Sequence, residues 1–381
     1  MEKEIAVEVI GDVLTHTRGH FLPYFQQCVE AVLALVDHHF EGVRRSAIGT
    51  LWRGYASLWA MAEDNGMAKW QSGLPLKVQA TDDLMKLGSL IMTATLALWQ
   101  DEVDRGTVTD IHRNLAATLK LCGPAILTAS IGENAASPVQ QIVEMILSIL
   151  QKRHSSEYDW LVIETAMEVI TCLAAALGES FGELWQIFEK PVVKYVSGTE
   201  KYERSAAVGT IAEAIGNMGA SVTPYTTNLM KIFLKRLGDE DPEVRSNAAY
   251  GTGLLCEKST NENEITGQYN TILAKLEPLL HQQQEARLLD NSAGCVARMI
   301  KRHPNNVPLA DVLPVLIQLL PLREDYEENE AVFEMIVALY QQQNSVIQGL
   351  TSSILPVLQK VLSPPEEQLS DETRQKVMQL A

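Results

Sequence analysis

Carboxylates and carboxamides return at one phase of this chain. Asn247, Asn291 and Asn329 each stand two residues before an alanine, and Ser246, Asp290 and Glu328 immediately precede them. Glu327 extends the last group, while Glu200 and Glu203 hold a similar place before Ser205 and Ala207. Residues of these types at this spacing could grip cations. A carboxylate matches the charge of a lysine ammonium, and an asparagine carbonyl accepts its remaining protons. Asparagine amides can also pair with the backbone of an extended segment, and three asparagines at one position would form a ladder. Tyr250, one turn beyond Asn247, could lie along a lysine stem or fill the core. A plainer role is open to every one of these residues, because Asn caps or solvates its own helix and acids suit helix starts.

The step that carries them, polar residue, spacer, alanine, starts at Arg45, Asn114, Glu164, Ser205, Asn247, Asn291 and Asn329. From Glu164 onward the intervals are 41, 42, 44 and 38 residues. Spacing near 40 with a small residue at a fixed position means stacked two-helix units. Ala47, Ala116, Ala166, Ala207, Ala249, Ala293 and Ala331 are small because helices cross closely there. The expected fold is all-α, a right-handed superhelix of antiparallel helix pairs, continuous over residues 1–381 in about eight or nine repeats.

Helical periodicity, broken by Pro, Gly and acidic turns, places an outer A and an inner B helix in each repeat. The pairs are Phe21–His38 with Glu41–Ala62, Leu74–Gln100 with Thr107–Leu121, and Pro138–Lys152 with Trp160–Leu177. Then follow Phe181–Val196 with Lys201–Met218, Pro224–Leu237 with Pro242–Glu257, and Gln268–Gln284 with Ala286–Arg302. Leu309–Leu320 pairs with Glu327–Gln343. A closing helix Val346–Leu362 and a cap within 366–381, helical over Ser370–Leu380, end the array. First turns of B helices build the concave face. Asp239-Glu240-Asp241-Pro242-Glu243 puts acids and a proline at a helix start, where both are favoured. Pro304 and Pro308 punctuate one repeat boundary, and Ser363-Pro364-Pro365 separates the last two helices. Glu63–Gly73, carrying Trp70, and Lys258–Gly267 read as solvated loops. Val7-Glu8-Val9-Ile10-Gly11 overlays Ala212-Glu213-Ala214-Ile215-Gly216, in the middle of a B helix. The expectation is that the chain is the C-terminal piece of a longer array, with Met1 an artificial start.

The net charge is −17, from 31 Lys+Arg against 48 Asp+Glu. Nucleic acid is thereby disfavoured as a direct partner. A basic partner is favoured, although acid also keeps a long array soluble. The five cysteines lie far apart in apolar helical stretches without zinc spacing, and read as reduced core thiols of a cytosolic or nuclear protein. No signal peptide is evident, and no apolar run reaches the roughly 20 residues that cross a bilayer. No phosphate loop, nucleophile elbow or metal-binding His pair occurs, so neither enzyme, metal nor cofactor is expected. His38-His39 are adjacent and do not converge on a metal, and Cys122 with His112 lacks a third member. In the early repeats Arg44, Arg45, Arg53 and Arg113 make the B-helix starts basic; they either pair with acids such as Glu41 and Asp110 or meet an acidic part of a partner. Trp52 and Trp59, seven apart, read as core.

Two runs carry a family likeness: Asp241-Pro-Glu-Val-Arg-Ser-Asn-Ala-Ala-Tyr-Gly-Thr-Gly-Leu-Leu-Cys-Glu257, and Glu41-Gly-Val-Arg-Arg-Ser-Ala-Ile-Gly-Thr-Leu51. Both resemble HEAT repeats of the karyopherin-β nuclear transport receptors, of the importin-4 type in its C-terminal half. The more specific part is Tyr202-Glu-Arg-Ser-Ala-Ala-Val-Gly-Thr-Ile-Ala-Glu-Ala-Ile-Gly216, with the Asn247, Asn291 and Glu327-Glu328-Asn329 series. The resemblance implies a HEAT solenoid that carries basic cargo, core histones and ribosomal proteins, and shuttles between cytoplasm and nucleus. It implies a lysine pocket at Asn291, Glu327 and Glu328, with Glu200 and Asn247 beside it. It also implies nucleoporins and a histone chaperone as partners, and Ran GTPase acting mainly through N-terminal repeats absent from this chain. The competing expectation is a HEAT scaffold subunit that holds folded partners on its inter-repeat turns.

Overall fold

The computed structural model describes residues 2–132, 136–156, 159–280, 283–364 and 367–380. Among them there is no strand. The chain divides into two compact units, Met1–Val193 and Lys194–Ala381.

The first unit contains α1 (Glu2–Thr17), α2 (Leu22–Leu33), α3 (Glu41–Asp64), α4 (Asp82–Asp101), α5 (Arg105–Cys122), α6 (Pro138–Leu150) and α7 (Trp160–Leu177), and most of α8 (Phe181–Val196). Helices α1, α3, α5 and α7 lie side by side as one layer; α2, α4 and α6 cover α3, α5 and α7. The second unit contains α9 (Lys201–Met218), α10 (Thr226–Arg236), α11 (Pro242–Lys258), α12 (Glu262–Leu276), α13 (Ala286–Arg302), α14 (Leu309–Leu319) and α15 (Asn329–Gln341). It closes with α16 (Ser345–Gly349), α17 (Thr351–Leu362) and α18 (Asp371–Met378). Its inner layer is α9, α11, α13, α15 and α18, with the even-numbered helices from α10 to α14 outside. Each unit is thus a stack of antiparallel helix pairs, the HEAT-type architecture.

The helix starts follow local chemistry. Asp104 accepts from Thr107 N, Asp241 from Glu243 N and Val244 N, and Ser137 with Gln140 forms a capping box ahead of Pro138. After α5, α7 and α9 the chain turns at Gly123, Gly178 and Gly219, all at φ between 52° and 56°. The stepped alanines are all buried.

Several boundaries differ from the periodicity. Helix α4 starts at Asp82, because Leu74-Pro75 disfavours helix and Thr81 caps Leu84 N. Helix α12 starts at Glu262, inside the expected 258–267 loop, because Ile265, Tyr269, Ile272 and Leu276 form one buried stripe. It ends at Leu276 and passes into a 3-10 turn, Glu277–Leu280, short of the expected end at Gln284; residues 281–282 lie outside the described ones. A 3-10 turn, Tyr326–Glu328, precedes α15, and the closing helix breaks in two at Leu350. The cap is helical over Asp371–Met378, and residues 365, 366 and 381 lie outside the described ones.

The connection carrying Trp70 is not a solvated loop. A Cβ added at Gly123 would lie 2.3 Å from the Trp70 indole, so the ring sits against the bare Cα that ends α5. Just beyond Trp70 in the chain, Gly73 N donates to Ala176 O (2.9 Å) at the end of α7. Leaving α3, the segment therefore straps the ends of the next two inner helices.

Arginine at the fourth residue of inner helices holds the turn before it. Arg44 donates to His38 O (2.9 Å) and His39 O (3.2 Å), and Arg204 to Thr199 O (2.8 Å). Arg245 donates to Asp239 O (2.8 Å) and Glu240 O (2.9 Å). Arg44 continues to Glu102 and Arg204 to Asp239, each through two hydrogen bonds. The remaining basic starts pair likewise: Arg45 with Asp110 (2.8 Å), Arg113 with Asp110 (3.5 Å), and Arg53 with Glu8 (2.7 Å) and Asp12 (3.0 Å).

The stretch Trp160–Val196 is long and apolar enough to cross a membrane by length and composition, which the sequence expectation missed. It is two helices, α7 and α8, joined by a turn at Gly178–Ser180, and 72% of its apolar window is buried in the protein. Cys122, Cys172, Cys256 and Cys295 are buried thiols and Cys28 is half-buried. Trp52 and Trp59 are core, as their spacing suggests.

Candidate functional site

The inner layer of the second unit encloses a polar cavity of about 480 Å³. Helix α9 supplies Gly209 and Glu213, α11 supplies Asn247 and Tyr250, and α13 supplies Arg287 and Asn291. The turn before α15 adds Glu324, Asp325, Tyr326 and Glu327. Helical spacing explains the set: Ser205, Gly209 and Glu213 are four apart, and so are Arg287 and Asn291. Gly209 keeps its wall open, since a Cβ there would come within 3.2 Å of Asn247 Nδ2. Four carboxylates line the cavity against one guanidinium, Arg287, which lies 3.6 Å from Asp325. Glu327 is exposed and forms no ion pair among the described residues.

The asparagines do form an inter-repeat series, through their nitrogens. Asn247 Nδ2 donates to Ser205 O and Oγ, both at 3.1 Å. Asn291 Nδ2 donates to Ser246 Oγ (2.9 Å) and Asp325 Oδ2 (3.2 Å). The orientation follows from the partners: a backbone carbonyl and a carboxylate can only accept. Ser246 Oγ spends its own proton on Arg287 O (3.3 Å). The amide hydrogens are committed inside the fold, so pairing of the Asn247 and Asn291 N–H groups with a bound backbone would first have to break these bonds. What remains is the acceptor capacity of Asn247 Oδ1, which receives no hydrogen bond among the described residues; Asn291 is buried and its Oδ1 is enclosed without a partner. A cavity with carboxylates and carbonyl-type oxygens suits a multiple donor of positive charge.

Tyr250 is half-buried and forms the partition to a second cavity of about 320 Å³, shared with Glu213 and Glu327. Burial raises its hydroxyl pKa, and the nearby Glu213 charge adds to the rise. One face of its ring carries the Arg298 guanidinium, 5.5 Å from the centroid. The second cavity adds Glu257, Glu330 and Glu334 on the acidic side and Lys258, Arg298 and Lys301 on the basic side.

Of the sequence candidates, Asn247, Tyr250, Asn291 and Glu327 meet in the first cavity, and the others do not line it. Glu328 is corrected: it is 1% exposed and locked in a two-bond pair with Arg298. Adjacent helical residues point about 100° apart, so Glu327 and Glu328 cannot both face the cavity. Gly294 leaves room for that pair, as any side chain there would collide with the Glu328 carboxylate. Burial raises the Glu328 pKa beyond what Arg298 recovers, and it opposes the Arg298 charge that Glu328 upholds. Asn329 is buried and donates to Gln368 O (3.1 Å), extending the asparagine series away from the cavity. Asp290 is buried on the backbone of the 323–325 turn. Ser246 is buried beneath Asn291. Glu200 is the N-cap of α9 and Glu203 lies in its first turn, about three turns before Glu213, and neither borders either cavity.

Sequence reasoning missed Glu213, Arg287 and the 324–326 turn. Glu213 was legible as the continuation of the Ser205–Gly209 stripe. The turn was not, because it enters the cavity through contacts with residues more than 30 positions earlier.

Known proteins with similar sequences and folds were compared. Residues 78–248 match the family model described as importin subunit beta-1-like, TPR repeats. The chain is 34% identical to a probable importin subunit beta-4 of Schizosaccharomyces pombe, over 100% of this chain and 37% of that protein. It is 26% identical to Importin-4 of Homo sapiens, over 96% of this chain and 34% of the relative. A crystal structure of Kap121p bound to Nup53p has the same fold at a TM-score of 0.66 and 15% identity, covering 99% of this chain and 36% of the other. The chain thus spans about a third of the length of the curated relatives it matches.

Proposed function

The chain belongs to the karyopherin-β family, of the importin-4 type, and from that premise we propose that it is the cargo-gripping part of a nuclear import receptor. The cargo is a lysine-rich extended segment, as in core histone tails and ribosomal proteins, held with a lysine ammonium in the cavity of α9, α11 and α13. Carrying this reading is one observation: acceptors converge there, with the amide hydrogens of Asn247 and Asn291 turned inward and Glu327 exposed. The net charge of −17 favours encounter with basic partners. That a solved structure of similar fold is described as Kap121p bound to Nup53p supports a protein partner, and nucleoporins belong to the proposal on that footing. Ran GTPase control and traffic between cytoplasm and nucleus belong to the proposed whole receptor.

Fluorescence titration of a labelled synthetic peptide with four lysines among glycine and serine tests it. Binding that weakens steeply with salt, and weakens again when the lysines are acetylated, is the expected result. Absence of binding at low salt, or equal binding of the acetylated peptide, contradicts it.

A further inference from the structure

Asp290 carries a buried charge without a cationic partner among the described residues. Its carboxylate, 2% exposed, leaves α13 and enters the turn before α15. There Oδ2 accepts from the backbone N of Arg323 (3.1 Å), Glu324 (2.8 Å) and Asp325 (2.9 Å), and Oδ1 takes a second bond from Arg323 N (3.3 Å). The same turn is held from the side by Asn291 Nδ2 on Asp325 Oδ2. Those three amides belong to the segment that brings Glu324, Asp325 and Glu327 to the cavity.

We propose that Asp290 is a positioning residue: it never touches the bound cation, but it fixes the acidic turn as one wall of the cavity. The inference rests on the reading of the cavity as a lysine site. Three converging N–H donors need an acceptor with no hydrogen of its own, and a carboxylate fits. An asparagine oxygen in the place of Oδ2 would lack the charge that strengthens the three bonds, and its N–H₂ in the place of Oδ1 would face Arg323 N. Desolvation of such a charge is costly and is offset here by backbone donors rather than by a cation. Burial leaves the Asp290 pKa raised despite those bonds, and the charge of Asp325 raises it further. The turn is therefore ordered at the expense of a carboxylate that a nearby ammonium would stabilise. Cation binding and order of the turn then reinforce each other, as linkage requires.

The test uses the full chain with the four-lysine peptide as probe, and measures affinity together with hydrogen exchange. In Asp290→Ala the amides of Arg323, Glu324 and Asp325 lose protection while those within α13 and α15 keep theirs. Peptide affinity falls about tenfold, the loss of one or two charged hydrogen bonds. Glu327→Gln, which weakens binding in the parent, costs less in the Asp290→Ala background, because the wall it belongs to is already loose. A merely structural role would leave the two losses additive. Unchanged affinity with lost protection, or additive losses, overturns the proposal. If Asp290→Ala does not fold, Asp290→Asn carries the same comparisons. Failure of the lysine reading is seen separately, in the parent protein, as no binding of the peptide.

Discussion

In the first unit the side chains of Arg44, Arg45 and Arg53 each end on a carboxylate of a neighbouring helix, Glu102, Asp110 and the Glu8–Asp12 pair. In the second unit the cations go to structural acids, Arg204 to Asp239 and Arg298 to Glu328, while Glu327 is left exposed over a cavity. The first unit also has a strap: the segment leaving α3 sets Trp70 on Gly123 at the end of α5 and Gly73 on Ala176 at the end of α7, so α3 is tied to an inner helix beyond its nearest neighbour. An array of repeats ordinarily couples neighbours alone. The proposed function assigns recognition to this difference. Charge that is cancelled between repeats sets their spacing, and charge left over at the cavity is available to a partner.

The largest expected effect separates structural acid from recognition acid. Glu328→Ala leaves the buried Arg298 with only Glu257, 3.3 Å from its Nε, as a carboxylate partner among the described residues, and should destabilise the second unit by about 3 kcal/mol in denaturant unfolding. Glu327→Ala, one residue away, should leave unfolding within about 0.5 kcal/mol of the parent. Equal losses would erase the distinction drawn between the two carboxylates.

Next in size is the strap. Trp70→Ala should cost about 2 kcal/mol, less than a fully buried tryptophan because the ring is half-exposed. Hydrogen exchange should quicken at the ends of both α5 and α7, and stay unchanged in the second unit. Changes confined to residues near 70 would show that the segment couples nothing.

Binding effects come third. Asn247→Ala and Glu327→Gln should each weaken the lysine peptide by about 1–2 kcal/mol. Arg45→Ala and Arg113→Ala, in exposed pairs of the first unit, should alter affinity by less than about 0.5 kcal/mol. Titrations with the same labelled peptide decide it, and a larger effect in the first unit reverses the comparison.

A pH effect of similar size should also fall on the first unit. His112 is fully buried beside Thr165, its Nδ1 2.9 Å from Oγ1, and burial, aided by the charge of His154, drops its pKa to about 3. An unfolded imidazole takes a proton near 6.5, so the folded chain binds fewer protons between these values. The contribution is complete above about pH 6.5 and is lost as pH falls toward 3, at up to about 1.4 kcal/mol per unit. Thermal unfolding from pH 7 to 5 should therefore show a slope in the parent that flattens in His112→Gln.

Much of this was legible in the sequence, for a physical reason. Helices α7, α8, α9 and α13 begin and end where the periodicity places them; Asp159 caps α7, and Gly178 and Gly219 end α7 and α9. Asn247 and Asn291 share a cavity because they occupy the same phase of successive inner helices, Tyr250 lies one turn on from Asn247, and Glu327 joins them from the turn before α15. What was hidden depends on contacts distant in sequence. Nothing near Trp70 announces Gly123, and nothing near Asp290 announces the amides of residues 323–325. Glu328 was misplaced because composition reads a Glu-Glu pair as one feature, whereas a helical turn sends the two carboxylates to different partners.

Photocrosslinking asks directly which unit holds the cation. A four-lysine peptide carrying one photoreactive lysine analogue would be irradiated on the full chain and the adducts mapped. Adducts at 209–213, 247–250, 287–291 and 324–327, lost with the acetylated peptide, are the expected result. Adducts on the first turns of α3 and α5 instead, or none above the acetylated control, would contradict the account.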